Sequence, residues 1–100
     1  MLSYTEVLKK LEEESNNIKK YGISRIGLFG SFVRNEQTDK SDVDILVEFE
    51  EGKESFDNYM SLLFFLEKLF SKKVDLVISG NIREELKKEI LGSVKYASKL

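Results

Sequence analysis

Residues 42–49, Asp-Val-Asp-Ile-Leu-Val-Glu-Phe, constrain the fold more than any other segment. Side chains alternate along a strand. Val43, Ile45, Val47 and Phe49 therefore face one way, and Asp42, Asp44 and Glu48 face the other. The pattern predicts a strand with one face on a core. It also sets Asp42 and Asp44 side by side on the open face. Two carboxylates held together repel each other, and cations between them are the best explanation for the pair. Just upstream, Leu28-Phe29-Gly30-Ser31-Phe32-Val33-Arg34 joins an apolar strand to a Gly-Ser turn and a basic residue. Backbone N–H groups of such a turn can hold the phosphates that those cations accompany.

The remaining elements follow from periodicity. Thr5 to Tyr21 reads as an amphipathic helix, with Val7, Leu8, Leu11 and Ile18 on one face and Gly22 as its stop. Arg25 to Phe29 is a strand with Ile26 and Leu28 on one side. Gly30-Ser31 opens a turn or short helix to about Asn35, and a polar loop runs from Glu36 to Lys40. After an acidic loop, Glu50 to Glu54, Ser55 caps a helix that runs to Phe70. Tyr59, Leu62, Leu63, Leu66, Leu69 and Phe70 form its apolar face. Phe64 falls on the opposite side, as either an isolated exposed residue or a protein contact. Val74 to Ile78 is a third strand. Asn81 and Glu84 read as a capping pair for a last helix, Ile82 to Leu91, ended by Gly92, and Val94 to Leu100 as a short edge strand.

Topology follows from the site. If Ser31, after the first strand, and Asp42, before the second, line one place, those strands run antiparallel. A helix of about 15 residues joins the second strand to the third, the mark of a parallel crossover. The starts of these two strands then meet, and Asp75 falls beside Asp42 and Asp44. The expected fold is α+β, with a small mixed sheet packed against helices.

Composition narrows the chemistry. One hundred residues imply a single domain, 1–100, able to bury its own core. There is no His and no Cys, which excludes His-based triads, thiolate nucleophiles, disulfides and zinc–thiolate sites. Carboxylates, hydroxyls, Lys, Arg and metal ions remain. A formal net charge of −2 argues against long nucleic acid as the main ligand. Lys9, Lys10 and Glu12-Glu13-Glu14 interrupt any leader, and no apolar run is long enough to span a membrane, so a cytoplasmic location is expected.

On Gly30-Ser31, Arg34, Ser41-Asp42-Val43-Asp44 and Val74-Asp75-Leu76-Val77, in that order and spacing, the chain resembles the minimal nucleotidyltransferase domain of the DNA polymerase beta superfamily. The family commonly has Ala-Arg-Gly where this chain has Val33-Arg34-Asn35. A buried Val and an Asn tolerant of left-handed backbone would accommodate the change. The resemblance implies transfer of a nucleoside monophosphate, usually AMP from ATP, to an acceptor hydroxyl. It also implies a helical HEPN-type partner, often the toxin to which the enzyme is antitoxin.

Asp42 and Asp44 are then the expected ligands of Mg2+, with two ions flanking the α-phosphate and Mn2+ as a substitute. Asp75 is expected to complete the site for the ion that activates the acceptor oxygen, unless it is a plain strand-end Asp paired with Lys72 or Lys73. Gly30 and Ser31 are expected to bind the β- or γ-phosphate; the plain alternative for Ser31 is an N-cap, and the two roles can coexist. Arg34 is expected to contact phosphate or to pair with a carboxylate. The expected activity is transfer of AMP, or another NMP from its NTP, to a protein hydroxyl. Two other readings stay open: an antitoxin that works by contact with little or no catalysis, and a small-molecule nucleotidyltransferase. Association with a second copy of this chain is also open.

Overall fold

The structure, a computed structural model, describes residues 2–98. Helix α1 spans Tyr4–Glu13 and opens with a capping box, in which Ser3 accepts from the Glu6 N–H and Glu6 reaches back to Ser3. The expected single helix to Tyr21 divides at Glu14, and α2 spans Ser15–Lys19. The reason is local. Ser15, Asn16 and Asn17 are weak helix formers, and the Asn17 amide donates to the Glu14 carboxylate at 2.9 Å. The helical phase survives the break, so Val7, Leu11 and Ile18 all reach the core. Gly22, at φ +83, turns the chain into β1, Ile23–Phe29.

β1 starts two residues before Arg25. A bulge between Ile23 and Arg25 keeps Ile23 paired with Phe49, and the Ser24 hydroxyl donates to the Glu48 carbonyl. β2 spans Val43–Phe49 and β3 spans Val74–Ile78. β1 is antiparallel to β2, and β2 is parallel to β3, as the site required. β4, Lys95–Tyr96, pairs antiparallel with β1, giving the order β3-β2-β1-β4. The last two residues of the expected edge strand, Lys99 and Leu100, lie outside the described residues.

Helix α3, Phe56–Phe70, links β2 to β3. Ser55 caps it through the Asn58 N–H at 3.1 Å. Leu62, Leu66 and Phe70 pack with α1 and α2 on the sheet face that carries Val43, Ile45 and Val47. The other sheet face holds a smaller cluster, Phe29, Leu46 and Ile82, under helix α4, Glu84–Ser93. This helix departs from expectation at both ends. Ile82 stays extended because its side chain is buried in that cluster, and Arg83 precedes the helix without a side-chain cap. Asn81 closes a separate 3-10 turn, Ser79–Asn81, so the expected Asn81–Glu84 capping pair does not form. Gly92 does not end the helix, which runs to Ser93. Among the described residues, no helix is long and apolar enough to cross a membrane.

Phe64 lies where the helical phase put it, at 61% exposure, while Leu62 and Leu66 are at 0%. Phe64→Ser is therefore expected to shift the melting temperature by no more than about 2–4 °C, since exposed sites change stability by about 0.5 kcal/mol or less. Leu66→Ala should cost about 2–5 kcal/mol. A large loss at Phe64, read in the same melting series, would mean that its ring is in the core.

Candidate active site

Strand register builds the site. Phe29 pairs with Asp44, and Asp44 pairs with Asp75. The turn after β1, the head of β2 and the head of β3 thus lie side by side. The Val43 N–H donates to the Lys73 carbonyl at 3.0 Å and fixes the two strand starts together. The loop before Asp42 is braced by its own polar groups: Thr38 N–H donates to Ser41 Oγ at 2.8 Å, and Ser41 N–H to the Thr38 carbonyl. Asp42 and Asp75 are exposed, and Asp44 is half-buried.

The turn is a 3-10 helix, Gly30–Phe32. Fully buried Phe32 pins it to the core, and the Val33 and Arg34 N–H groups both donate to the Gly30 carbonyl. Gly30 sits at φ +75, and a Cβ built there would fall 2.0 Å from Asp44 Oδ2. Only glycine lets this carboxylate lie against the turn. The Ser31 backbone N–H lies near the Asp44 carboxylate and favours its ionised form. Ser31 is not an N-cap; its hydroxyl has no partner among the described residues and remains available for a ligand. Val33 packs half-buried against the core, and Asn35 takes left-handed backbone at φ 59. Asn35 accommodates its departure from the family pattern as expected, whereas Val33 is half-buried rather than buried.

Arg34 pairs with exposed Glu36, which takes up the carboxylate alternative, yet its charge still favours ionised Asp44. Lys72 donates to the Asp39 carbonyl at 2.8 Å, and among the described residues no cation forms an ion pair with Asp42, Asp44 or Asp75. The electrostatic result is clear at Asp44. Burial, then the charges of Asp75 and Asp42, push its carboxyl up to about 6, against the lowering effects of the Ser31 N–H and Arg34. The three carboxylates are near enough to repel. Even so, among the described residues no three acidic side chains are drawn up to enclose an ion by themselves. A hard cation such as Mg2+ typically takes one or two carboxylates and completes its shell from phosphate oxygens and water. This donor set fits that habit.

Sequence reasoning missed the polar role of Tyr59. Its ring packs on the core, but its hydroxyl donates to the Leu76 carbonyl at 2.5 Å. Burial and then the charge of Asp75 push the phenol above its ordinary range. The signal was a Tyr among leucines on a core face, since a buried Tyr needs a partner for its O–H. Tyr59 also lines a cleft of about 490 Å3 with Glu54, Ser55, Phe56, Leu76, Val77, Ile78 and Asn81.

The sequence pattern of the nucleotidyltransferase domain matches residues 6–97. The chain belongs to that family. As a nucleotidyltransferase it is 40% identical over 99 residues to "Putative protein adenylyltransferase MJ1379" of Methanocaldococcus jannaschii, covering 96% of this chain and 99% of the relative. It is 37% identical to "Protein adenylyltransferase MntA" of Thermococcus cleftensis, covering 96% and 97%. A solved structure described as a putative minimal nucleotidyltransferase superposes with a TM-score of 0.80 at 28% identity, covering 94% of this chain and 95% of that one. A toxin–antitoxin complex solved with AMP-PNP shares the fold at a TM-score of 0.68 and 22% identity, covering 86% and 71%.

Proposed function

We propose that this nucleotidyltransferase moves AMP from ATP to a hydroxyl on a protein partner, and that the partner is a HEPN-type toxin countered by the modification. The observation that carries the reading is the row formed by Gly30, Asp44 and Asp75 across three adjacent strands, with Asp44 pushed toward neutrality and, among the described residues, no cation in an ion pair with it. The names of the relatives, protein adenylyltransferases, supply the acceptor class. Similar folds in toxin–antitoxin complexes supply the context.

In this reading Ser31 and the turn hold the β- and γ-phosphates, and Asp42 and Asp44 hold divalent metal, with Asp75 joining at the acceptor side. When bound, Mg2+ neutralises triphosphate charge and favours the alkoxide form of the acceptor. Asp75 orients the acceptor hydroxyl and receives its proton. The acceptor oxygen bonds to the α-phosphorus, the bond from that phosphorus to the α,β-bridging oxygen breaks, and pyrophosphate leaves over Ser31. Arg34, tied to Glu36, adds positive charge near the turn rather than a direct phosphate bond.

The test is labelled ATP with Mg2+ and a HEPN-type protein offered as partner, followed by a melting scan. Label should pass to the partner and vanish with a chelator. Mg2+ and ATP together, at a hundredfold excess over the dissociation constant, should stabilise the fold by about 2.7 kcal/mol, a rise of roughly 11–22 °C. Either alone should do far less. No label and no rise, with the partner still bound, would leave contact as the only means of neutralisation.

A further inference from the structure

Asp75 stands on the least supported strand of the site. β3 is short, lies at an edge of the sheet and is paired only with β2 among the described residues. Fraying of its head would displace Asp75, the second residue of the strand. Peptide groups alternate along a strand. The Lys73 carbonyl turns inward to accept from Val43, so the N–H and C=O groups of Val74 and Leu76 turn outward, away from β2. Both of these residues are held from α3. The Glu67 carboxylate accepts from the Val74 N–H at 3.1 Å, and the Tyr59 hydroxyl donates to the Leu76 carbonyl at 2.5 Å. Tyr59 and Glu67 lie a little over two turns apart on one helix. They clamp the outer edge of the strand on each side of Asp75, while Val74 and Leu76 bury their side chains in the core that the same helix covers.

We propose that this two-point clamp fixes Asp75 for transfer, with Tyr59 and Glu67 as positioning residues that touch neither nucleotide nor acceptor. The proposal rests on the AMP-transfer reading above and deepens it at Asp75. The competing explanation is plain cover for a sheet edge, which keeps another chain from pairing there. Placement argues against it. Cover is needed all along an edge, yet both bonds fall on the two residues that flank Asp75. Ile78, the last residue of the strand, receives no side-chain hydrogen bond among the described residues. The two bonds also differ in kind. The Glu67 bond closes the turn between α3 and β3, where Ser71 takes left-handed backbone at φ 52. The Tyr59 bond comes from the first turn of α3 and spans 17 residues of chain, so it sets the place of the whole helix on β3. Precision is what the site needs. A reacting group misplaced by about 1 Å can cost a hundredfold in rate, and a strand head held from one side has that much freedom.

Tyr59→Phe keeps the ring in the core and removes one bond. Glu67→Ala removes the other, and Glu67→Gln keeps a neutral acceptor on a side chain of the same length. Two measurements are made on the full chain: amide hydrogen exchange without ligands, and initial rates with labelled ATP, Mg2+ and a HEPN-type protein as acceptor. In Tyr59→Phe and in Glu67→Ala, the amides of β3 should exchange roughly tenfold faster while those of β1 stay near wild type. In the same variants kcat should fall roughly tenfold or more, with the KM for ATP little changed. Glu67→Gln should recover most of both losses. Ile18→Val, a core variant on α2 that lowers stability without touching either bond, should keep the wild-type kcat. Faster exchange in β3 with an unchanged kcat would overturn the proposal, because the clamp would then serve the strand and not Asp75. A lower kcat with unchanged exchange would overturn it too, by making Tyr59 or Glu67 act at the site directly. So would an equal fall of kcat in Ile18→Val, which would reduce the effect to stability. Wild type that transfers no label removes the AMP-transfer reading and the proposal with it. Wild type that transfers, with Tyr59→Phe and Glu67→Ala unimpaired, removes the proposal alone.

Discussion

Asp44→Asn is expected to lower AMP transfer by at least a thousandfold while the purified protein stays folded. Asp44 occupies the middle of the row, in register with Phe29 on one side and Asp75 on the other, and lies against Gly30. An amide keeps the shape and the Ser31 contact region but removes the negative charge a divalent cation requires. Loss of a metal ligand and of its charge at phosphoryl transfer removes several kcal/mol of transition-state stabilisation. Each ~1.4 kcal/mol is a factor of ten in rate. Asp42→Asn should act in the same direction. Initial rates of label transfer check both, and turnover above a few per cent of wild type would sink the ligand assignment.

The same variant has a stability signature that separates lost chemistry from lost fold. Asp44 is raised from 3.8 to about 6 in the folded chain, so folding favours its protonated form. Its contribution to stability is fully present below the unfolded value, near 3.8, and is lost as pH rises through about 6. The metal-free wild type should therefore weaken over that window. The carboxyl is half open to water, which limits the loss to about 1–2 kcal/mol. Asp44→Asn should not show this loss, and at pH 8 without metal it should melt no lower than wild type. A variant that melts well below wild type at pH 8 would point to a structural role for the charge.

Most of this site was legible because its residues occupy strand heads, where a period of two leaves little freedom. Once Val43, Ile45 and Val47 go inward, Asp44 must go outward, and parallel pairing then fixes Asp75 beside it. Helix ends were less legible. Ser55 caps α3 as read, but Asn81 and Glu84 presented the same local signal and formed no cap, because burial of Ile82 decided the backbone there. A local motif yields to a tertiary contact when the two compete for the same residues. The break at Glu14 is the reverse case, where Ser15, Asn16 and Asn17 outweighed an apolar period that spanned them. The β3-edge cleft was not legible at all. It depends on Tyr59 reaching across to a backbone carbonyl, and no spacing in the sequence specifies that distance.

Gly30→Ala is the second large effect expected, and it tests the packing behind the chemistry. An added methyl would stand 2.0 Å from Asp44 Oδ2 and 2.9 Å from its Cγ, so the carboxylate must swing away from the turn. Backbone at φ +75 adds strain for any residue with a Cβ, about 1–3 kcal/mol. Transfer should fall a hundredfold or more, and the melting temperature should drop by roughly 5–15 °C. Gly52→Ala separates the two causes. Gly52 has nearly the same backbone, φ +78, but a Cβ there meets nothing within 4 Å. It should show comparable backbone strain and keep its transfer rate. The difference between the two variants, measured by rate and by melting, then isolates the contact between turn and carboxylate. Equal and near-normal rates in both would mean that Asp44 is free to move and that the turn does not set its position.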